Sequence, residues 1–119
     1  LKAKGYLLAL VTGTPQEEVQ KILPREIRIL FDRIVAGNNV RHGKPHPEPY
    51  LKACRELGLK PAQCLVIENA PLGIQSAKAA KMPCIALAPS LPRTYLKGAD
   101  RVVDRLEEIT GIIEKSCGL

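Results

Sequence analysis

Short apolar runs alternate with segments of helical periodicity along the chain. Residues 7–11, 64–67 and 85–87 are apolar at every position. A parallel strand that helices cover on both faces requires such a run, because neither of its faces then meets water. Residues 31–37 and 101–103 predict two further short strands, and the second of these is expected at a sheet edge.

Four other segments predict helices. The first opens at Pro15 with Thr14 as its N-cap, is followed by two glutamates that complement the helix dipole, and ends near Leu23. The others cover about residues 47–57, 72–81 and 106–116. Strands and helices that alternate at this spacing predict an α/β fold, a doubly wound (Rossmann-like) parallel sheet. At 119 residues the chain has the length of one domain, predicted to span residues 1–119.

Composition excludes several classes of protein. The hydrophobic content of 45% and the charged content of 25% are typical of a globular domain and exclude a disordered tail. The net charge is +6, but the basic residues are scattered and only four aromatic residues are present, so we predict no nucleic-acid partner. No apolar run approaches the roughly 20 residues of a membrane span. The four cysteines form no C-x-x-C pair, which favours a reducing, cytoplasmic location.

The beginning of the chain predicts that it was cut from something longer. The only methionine is Met82, so the chain lacks an initiator. Residues 1–5 contain neither a long apolar segment nor a cleavage motif, so no signal peptide is predicted.

Polar residues follow the predicted strands where chemistry is expected. Ligands of doubly wound sheets bind at the carboxyl ends of the strands. The residues at those ends are Thr12-Gly13-Thr14, Asn38-Asn39 with Lys44 beyond them, and Glu68-Asn69. A hydroxyl in a glycine turn, an amine and an acid–amide pair suit a phosphate group together with a divalent cation.

Three blocks in the same order resemble a known family. They read Leu-Val-Thr-Gly-Thr, then Gly-Lys-Pro-His-Pro-Glu-Pro-Tyr, then Val-Ile-Glu-Asn-Ala-Pro-Leu-Gly-Ile. Together they resemble the haloacid dehalogenase superfamily, in particular its phosphoglycolate-phosphatase and β-phosphoglucomutase branch. The resemblance covers about residues 2–104. It implies a phosphohydrolase that works on a small phosphorylated substrate.

The resemblance assigns roles to three residues that bind phosphate. Thr12 matches the second family motif, and its hydroxyl and the amide of Gly13 would hold phosphoryl oxygens. Lys44 matches the third motif and would neutralise charge as the phosphoryl group is transferred, which makes it the catalytic candidate. The alternatives are that Thr12 caps the following helix and that Lys44 is a solvated lysine. His42 and His46 flank Lys44 and are interpreted as loop histidines that face solvent.

The fourth family motif falls on Glu68 and Asn69, which the resemblance makes ligands of Mg²⁺. Hard divalent cations take oxygen ligands, usually one or two carboxylates with water and phosphate. Relatives most often have an acidic pair here, so Asn69 is a departure that removes one negative charge. The alternative for Asn69 is the N-cap of the helix that follows.

The first family motif, D-x-D, and the cap domain are missing. The resemblance therefore implies a partial core that lacks its first strand and its cap, with the nucleophilic aspartate outside this chain. The chain alone is expected to be inactive. The missing strand would lie between the strands that end at Thr12 and at Glu68, so we expect the missing N-terminal half or a second copy of the chain to pair with the exposed edges.

The resulting hypothesis is part of a Mg²⁺-dependent phosphohydrolase that uses an aspartyl-phosphate intermediate. The alternatives are a sugar-phosphate mutase of the same superfamily and a non-catalytic phosphate-binding or interaction domain. A flavodoxin-like nucleotide-binding module is disfavoured, because the turn at Thr12-Gly13-Thr14 is a poor phosphate loop for it.

Overall fold

The computed structural model describes residues 5–87, 96 and 98–117, with side chains as far as residue 113. Residues 1–4, on which the prediction of no signal peptide rests, and Tyr95 lie outside the described residues. The strands are β1 (Ala9–Val11), β2 (Arg33–Val35), β3 (Val66–Glu68), β4 (Cys84–Leu87) and β5 (Arg101–Val103). The helices are α1 (Gln16–Ile22), α2 (Arg25–Arg28), α3 (Glu48–Leu57), α4 (Pro71–Ala79) and α5 (Leu106–Cys117).

The described strands form two parallel sheets. One sheet pairs β1 with β2, and the other has the order β3-β4-β5. Within the described residues β1 and β3 are not hydrogen-bonded to each other, so each presents an unpaired edge. Parallel strands with helical connections confirm the predicted α/β, Rossmann-like fold.

One layer of helices spans both sheets. Helix α3 packs against β1, β2 and α4, and α4 packs against β3 and β4. The core beneath these helices contains the aromatic ring of Tyr50 and smaller apolar side chains, including Ile74, Ala77 and Cys84. On the opposite face, a smaller cluster forms where α5 covers β4 and β5. The helical layer thus holds the ends of β1 and β3 near each other without direct strand pairing.

Burial on both faces was expected for the second apolar run, residues 64–67, and this expectation is wrong for one face of β3. Ile67 lies in register with Ile85, which is buried against α5. Ile67 itself is 40% exposed, and Leu65 just before β3 is 38% exposed. Helix α5 reaches the face of β4 and β5 but leaves that of β3 open to solvent.

Two predicted caps are wrong. Pro15, not Thr14, occupies the N-cap position of α1, and the first helical amide, that of Gln16, donates to Asn38 Oδ1 at 2.9 Å. Ala70, not Asn69, precedes α4 and makes no side-chain cap. Pro15 occupies the N-cap of α1, and Pro71 is the first residue of α4. The missing N–H and fixed φ of proline already suit a helix start without a capping side chain.

Other boundaries agree within a few residues, and α3 ends at Gly58 with φ of 73°, as a left-handed C-cap requires. The short helix α2 was not predicted. Among the helices of the described residues, none is long and apolar enough to cross a membrane.

Candidate functional site

Lys44 links the carboxyl ends of the two sheets. Its ammonium Nζ donates to the carbonyl oxygen of Val11 at 3.2 Å and to Glu68 Oε2 at 3.0 Å. Val11 ends β1 and Glu68 ends β3. The side chain is only 21% exposed and also lies over the Tyr50 ring, with Nζ 5.1 Å from the ring centre. The alternative of a solvated lysine is therefore wrong.

The loop that carries Lys44 is held at several points. The Lys44–Pro45 peptide bond is cis. The His46 carbonyl accepts a 2.6 Å hydrogen bond from Ser76 Oγ on α4, and Ser76 is fully buried. This hydrogen bond anchors the loop to the helical layer next to Lys44. The lysine is therefore placed by its surroundings as well as by its own two hydrogen bonds.

Glu68 is a buried carboxylate with three donors. Oε2 accepts from Lys44 Nζ and, at 2.5 Å, from the Tyr50 hydroxyl, while Oε1 accepts from the Asn69 amide at 3.0 Å. Burial raises the pKa of Glu68, but the hydrogen bonds from Tyr50 and Lys44 and the lysine charge outweigh it, so that the pKa lies below its ordinary value. Glu68 is thus an ionised partner for Lys44 at neutral pH.

Tyr50 is a member of the site that the sequence reasoning missed as a functional residue. It lies in the first turn of α3, is 7% exposed, and donates its hydroxyl to Glu68. Burial, with the neighbouring carboxylate, raises the pKa of Tyr50 and keeps it a neutral donor. The sequence feature that could have identified Tyr50 is its position six residues after Lys44 in the same block. That spacing corresponds to a short loop followed by the first turn of a helix.

Thr12 and Gly13 form a turn directly after β1. The Thr14 amide donates to Thr12 Oγ1 at 3.1 Å, so the hydroxyl acts as an acceptor within the turn and keeps its own proton for another partner. Helix α1 has no side-chain cap, so the alternative that Thr12 caps it is wrong. Gly13 is exposed, and a Cβ placed there would meet nothing within 4 Å. The turn is therefore open to solvent at Gly13.

A second glycine holds this turn in place. The Gly37 amide donates to the Thr14 carbonyl at 2.8 Å, and a Cβ at Gly37 would overlap the Gly13 carbonyl. Gly37 starts a 3₁₀ turn, Gly37–Asn39. The backbones after β1 and after β2 can approach this closely only because Gly37 lacks a side chain.

Asn38 and Asn39, which the sequence placed at the same rim, have structural roles. Asn38 Oδ1 accepts from the first amide of α1, and Asn39 Oδ1 accepts from the Ala36 amide at 2.8 Å. Both side-chain oxygens are thereby engaged with backbone. These hydrogen bonds hold the start of α1 and the turn after β2, and none of them reaches Lys44 or Glu68.

The oxygen donors at the end of β3 suit a magnesium ion as part of a ligand shell. Glu68 Oε2 is taken by Tyr50 and Lys44. Among the described residues Oε1 accepts from the Asn69 amide alone, and Asn69 is exposed. A carboxylate oxygen has room for a further partner. Glu68 Oε1 and the Asn69 carbonyl oxygen are therefore compatible with Mg²⁺, with water, phosphate and a further carboxylate needed to complete the shell.

Comparisons with known proteins all point to one family. A family model for haloacid dehalogenase-like hydrolases matches residues 1–87. Hexitol phosphatase B of Escherichia coli is 32% identical over 114 residues, which are 92% of this chain and 50% of that protein. The phosphoglycolate phosphatase of the same organism is 38% identical over 88 residues, which are 73% of this chain and 35% of that protein. The chain spans about half or less of the length of the curated relatives it matches.

Solved structures show the same relation. A candidate β-phosphoglucomutase from Thermotoga maritima has a TM-score of 0.86 and 34% identity, with 96% of this chain and 55% of that chain covered. CbbY from Rhodobacter sphaeroides, solved in complex with phosphate, has a TM-score of 0.79 and 33% identity. That match covers 91% of this chain and 50% of the other. The described residues therefore have the fold of about half of a larger protein.

Proposed function

The chain belongs to the haloacid dehalogenase-like hydrolase family, and from that membership we propose that it forms the phosphate-binding edge of an enzyme that hydrolyses a small phosphorylated metabolite. The single observation that carries the proposal is the position of Lys44. Its ammonium lies between the end of β1 and the carboxylate of Glu68, beside the open Thr12–Gly13 turn. In this proposal the Lys44 ammonium, the Thr12 hydroxyl and the Gly13 amide bind the phosphate together.

The three phosphate-binding groups have complementary roles in this proposal. An ammonium has three N–H donors, of which Val11 and Glu68 take two, so the third is directed to a phosphoryl oxygen. The Thr12 hydroxyl and the Gly13 amide donate to the other oxygens. Phosphoryl transfer depends mainly on positioning and on charge stabilisation, which a fixed ammonium supplies as charge develops.

The nucleophile in this proposal is an aspartate outside the chain, which forms an aspartyl-phosphate intermediate. Asp32 and Asp100 precede β2 and β5 and so lie at the opposite edge of the sheets. Asp104 follows β5, two strands away from β3. Glu68 is committed to Lys44 and Tyr50. None of these carboxylates is in position to attack a phosphoryl group held at Thr12 and Lys44.

Mg²⁺ belongs to the proposal as the cation that neutralises the phosphate when bound. Glu68 and Asn69 would contribute oxygen ligands on this chain. The Glu68 carboxylate also fixes Lys44, so in this proposal one residue both positions the lysine and binds the metal ion.

A sugar-phosphate mutase is the second candidate, since the Thermotoga structure with the TM-score of 0.86 is a candidate β-phosphoglucomutase. Both reactions use the same phosphate-binding edge and differ in whether water or a sugar hydroxyl accepts the phosphoryl group. Incubating the full-length enzyme with a sugar phosphate distinguishes them, because hydrolysis releases inorganic phosphate and the mutase yields an isomeric sugar phosphate.

The test of the phosphate site uses this chain and inorganic phosphate, with binding followed by ³¹P NMR titration. Lys44→Ala removes a charged hydrogen bond worth about 1.5–3 kcal/mol, so phosphate affinity should fall about ten- to hundredfold. Lys52→Ala is the matched control, since Lys52 pairs with Glu56 on α3 and its loss removes the same charge away from the site. Equal affinities for the two variants would contradict the proposal.

The same substitution tests catalysis in the full-length enzyme. Loss of one electrostatic group that stabilises a transition state typically costs on the order of 10²–10³ in turnover. Lys44→Ala should therefore lower kcat by that factor and change KM less. An unchanged kcat would show that Lys44 is not catalytic.

A further inference from the structure

A cluster of two imidazoles and a carboxylate lies in the loop on either side of Lys44. The potential ligand atoms of His42, His46 and Glu48 all lie within 4.8 Å of one another. His42 Nδ1 is 3.1 Å from Glu48 Oε1, and the two imidazole rings are stacked, with centres 4.6 Å apart. The cluster is accessible, since the His42 side chain is 62% exposed.

The carboxylate of this cluster is fixed before any ligand arrives. Glu48 is the first residue of α3, and its carboxylate accepts the backbone amides of Arg41 at 2.8 Å and of His42 at 3.1 Å. These hydrogen bonds, with that of Arg41 foremost, lower the pKa of Glu48. The group is therefore an ionised oxygen donor whose orientation the loop backbone sets.

The two imidazoles each have a nitrogen that can reach a shared ion. His42 Nδ1 lies 3.1 Å from Glu48 Oε1, which is close to the spacing of two ligand atoms of one tetrahedral ion, so an ion that replaces this hydrogen bond would bind both atoms. His46 Nδ1 accepts the Glu48 amide at 3.0 Å. A metal ion that takes the lone pair of His46 Nδ1 would replace one neutral hydrogen bond with a metal–nitrogen bond.

We propose that His42, His46 and Glu48 form a binding site for a divalent transition-metal ion such as Zn²⁺, with water as the fourth ligand. Imidazole nitrogens with one carboxylate favour zinc, nickel or copper over magnesium and calcium, which prefer all-oxygen shells. In a tetrahedral zinc site neighbouring ligand atoms lie about 3.3 Å apart, as follows from metal–ligand bonds of about 2.0–2.1 Å. The cluster must contract by about 1.5 Å, which rotation of exposed side chains can supply.

This site is separate from the proposed magnesium site at Glu68 and Asn69. Its donors lie at positions 42, 46 and 48, whereas Glu68 and Asn69 follow β3. Because His42 precedes Lys44 and the other two ligands follow it, a bound ion would tie together both sides of the loop that presents the lysine. Zinc binding would therefore stabilise this loop.

The composition of the chain makes the site testable. His42 and His46 are its only histidines, so any binding that depends on histidine belongs to this cluster. Cysteines are the competing ligands, but Cys54 and Cys84 are buried, and burial raises the pKa of Cys84 to about 11. A buried, protonated thiol is a poor metal ligand.

The experiment titrates Zn²⁺ into the chain in competition with a zinc-sensitive dye and follows both imidazole rings by NMR. One ion should bind per chain and shift the signals of both rings. His42→Ala should weaken binding by about tenfold or more, which is the least that loss of a supporting group usually costs at a metal site. Glu56→Gln is the control, because it changes an exposed glutamate of α3 away from the cluster and should leave affinity unchanged.

Two further measurements separate the possible outcomes. Co²⁺ in place of Zn²⁺ should give a four-coordinate spectrum without thiolate charge-transfer absorption, and the appearance of that absorption would assign the ion to cysteine and overturn the proposal. Absence of saturable binding, or equal affinity in the double variant His42→Ala/His46→Ala, would also overturn it. Lys44→Ala should retain zinc binding, because Lys44 is not one of the proposed zinc ligands. The zinc proposal can therefore be tested even if the proposed phosphate site proves wrong.

Discussion

Glu68 is the residue on which the hydrogen bonds of the site converge, and Tyr50 makes the shortest of them. Tyr50→Phe removes one donor to a buried carboxylate and leaves the ring in the core. The expected loss is about 1–3 kcal/mol in the free energy of unfolding at neutral pH, the usual cost of an unmet hydrogen bond to a charged group. Urea unfolding of both proteins measures it.

The pH dependence of that loss has a defined sign. The pKa of Glu68 in the folded protein lies below its ordinary value of 4.5, so its stabilising contribution is complete above that value and is lost as the pH falls through the folded pKa. Without the Tyr50 hydroxyl the pKa of Glu68 in the folded protein rises. A smaller part of the free energy of unfolding then depends on the ionisation of Glu68. The difference between wild type and Tyr50→Phe should shrink in acid, and a difference that grows would contradict this assignment.

If Glu68 and Asn69 bind Mg²⁺ as proposed, the charge at position 69 sets how tightly the cation is held. Asn69→Asp adds a negative charge beside the oxygen donors of Glu68, and it removes no cap, because Ala70 occupies the N-cap position of α4. A unit charge about 4 Å from a divalent ion is worth roughly 2 kcal/mol even in bulk water. Mg²⁺ should bind at least about tenfold more tightly, as calorimetry on the chain can measure.

The control for Asn69→Asp is Gln75→Glu, which adds the same charge at an exposed position further along α4. A similar gain in both variants would show only a general electrostatic effect. No gain in Asn69→Asp would remove Asn69 from the proposed ligand set.

Individual site residues differed in how far the sequence could predict them. Lys44 and Glu68 were identified because each belongs to a recognisable block and Glu68 ends an apolar strand, and the structure brings them to 3.0 Å. Tyr50 was not identified, since its role depends on how the first turn of α3 faces β3. The wrong caps at Thr14 and Asn69 have a related cause, because the amide partner of α1 comes from Asn38, 22 residues away.

At the level of elements, Gly73 allows α4 to start against the Glu68 carboxylate. It is buried in the first turn of α4, and a Cβ there would overlap the carboxylate. Ala normally stabilises a helix interior by about 0.5–1 kcal/mol relative to Gly. Gly73→Ala should instead destabilise the protein by about 1–3 kcal/mol, as overpacking does.

Gly111 is the matched control for Gly73. It lies inside α5, is exposed, and a Cβ there would meet nothing within 4 Å. Gly111→Ala should therefore raise the thermal midpoint, while Gly73→Ala lowers it and displaces Glu68 from Lys44. A rise in both variants would show that the carboxylate moves aside at no cost.

Elements were predictable to the extent that local pattern determines them. The strand at Arg101–Val103 and the helix ended by Gly58 follow from β-branched residues and from a left-handed glycine, and both are found. Helix α2, only four residues long, lacks a periodic apolar face that could reveal it. The exposed face of β3 was also unpredictable. An apolar run shows that both faces of a strand can be buried, but it does not show which element covers each face.

For the whole molecule, the gap between the two sheets is the dominant feature. The prediction that β1 and β3 would flank a missing strand agrees with two sheets whose only described pairings are β1-β2 and β3-β4-β5. Within the described residues, β1 and β3 do not pair directly with each other. We propose that either the rest of the parent protein or a second copy of this chain fills the gap.

The unpaired edges predict that the isolated chain associates. Ile67 on β3 and Leu65 just before it are partly exposed, and Leu7 just before β1 is 46% exposed. Open apolar strand edges recruit other chains, and a charge on the edge suppresses this. Size-exclusion chromatography with light scattering should show dimers or larger species of the wild-type chain, and Ile67→Lys should shift them towards monomer.

Ile22→Lys is the control for that shift, since Ile22 at the end of α1 is 67% exposed but lies away from the strand edges. If exposed apolar area alone drove association, both lysine variants would reduce it equally. If the edges drive it, only Ile67→Lys does so, and a parent protein that contains the missing strand should be relieved of it as well. A monodisperse wild-type monomer with a cooperative thermal transition would show that the gap is tolerated, because the helical layer of α3 and α4 would then hold the two sheets together unaided.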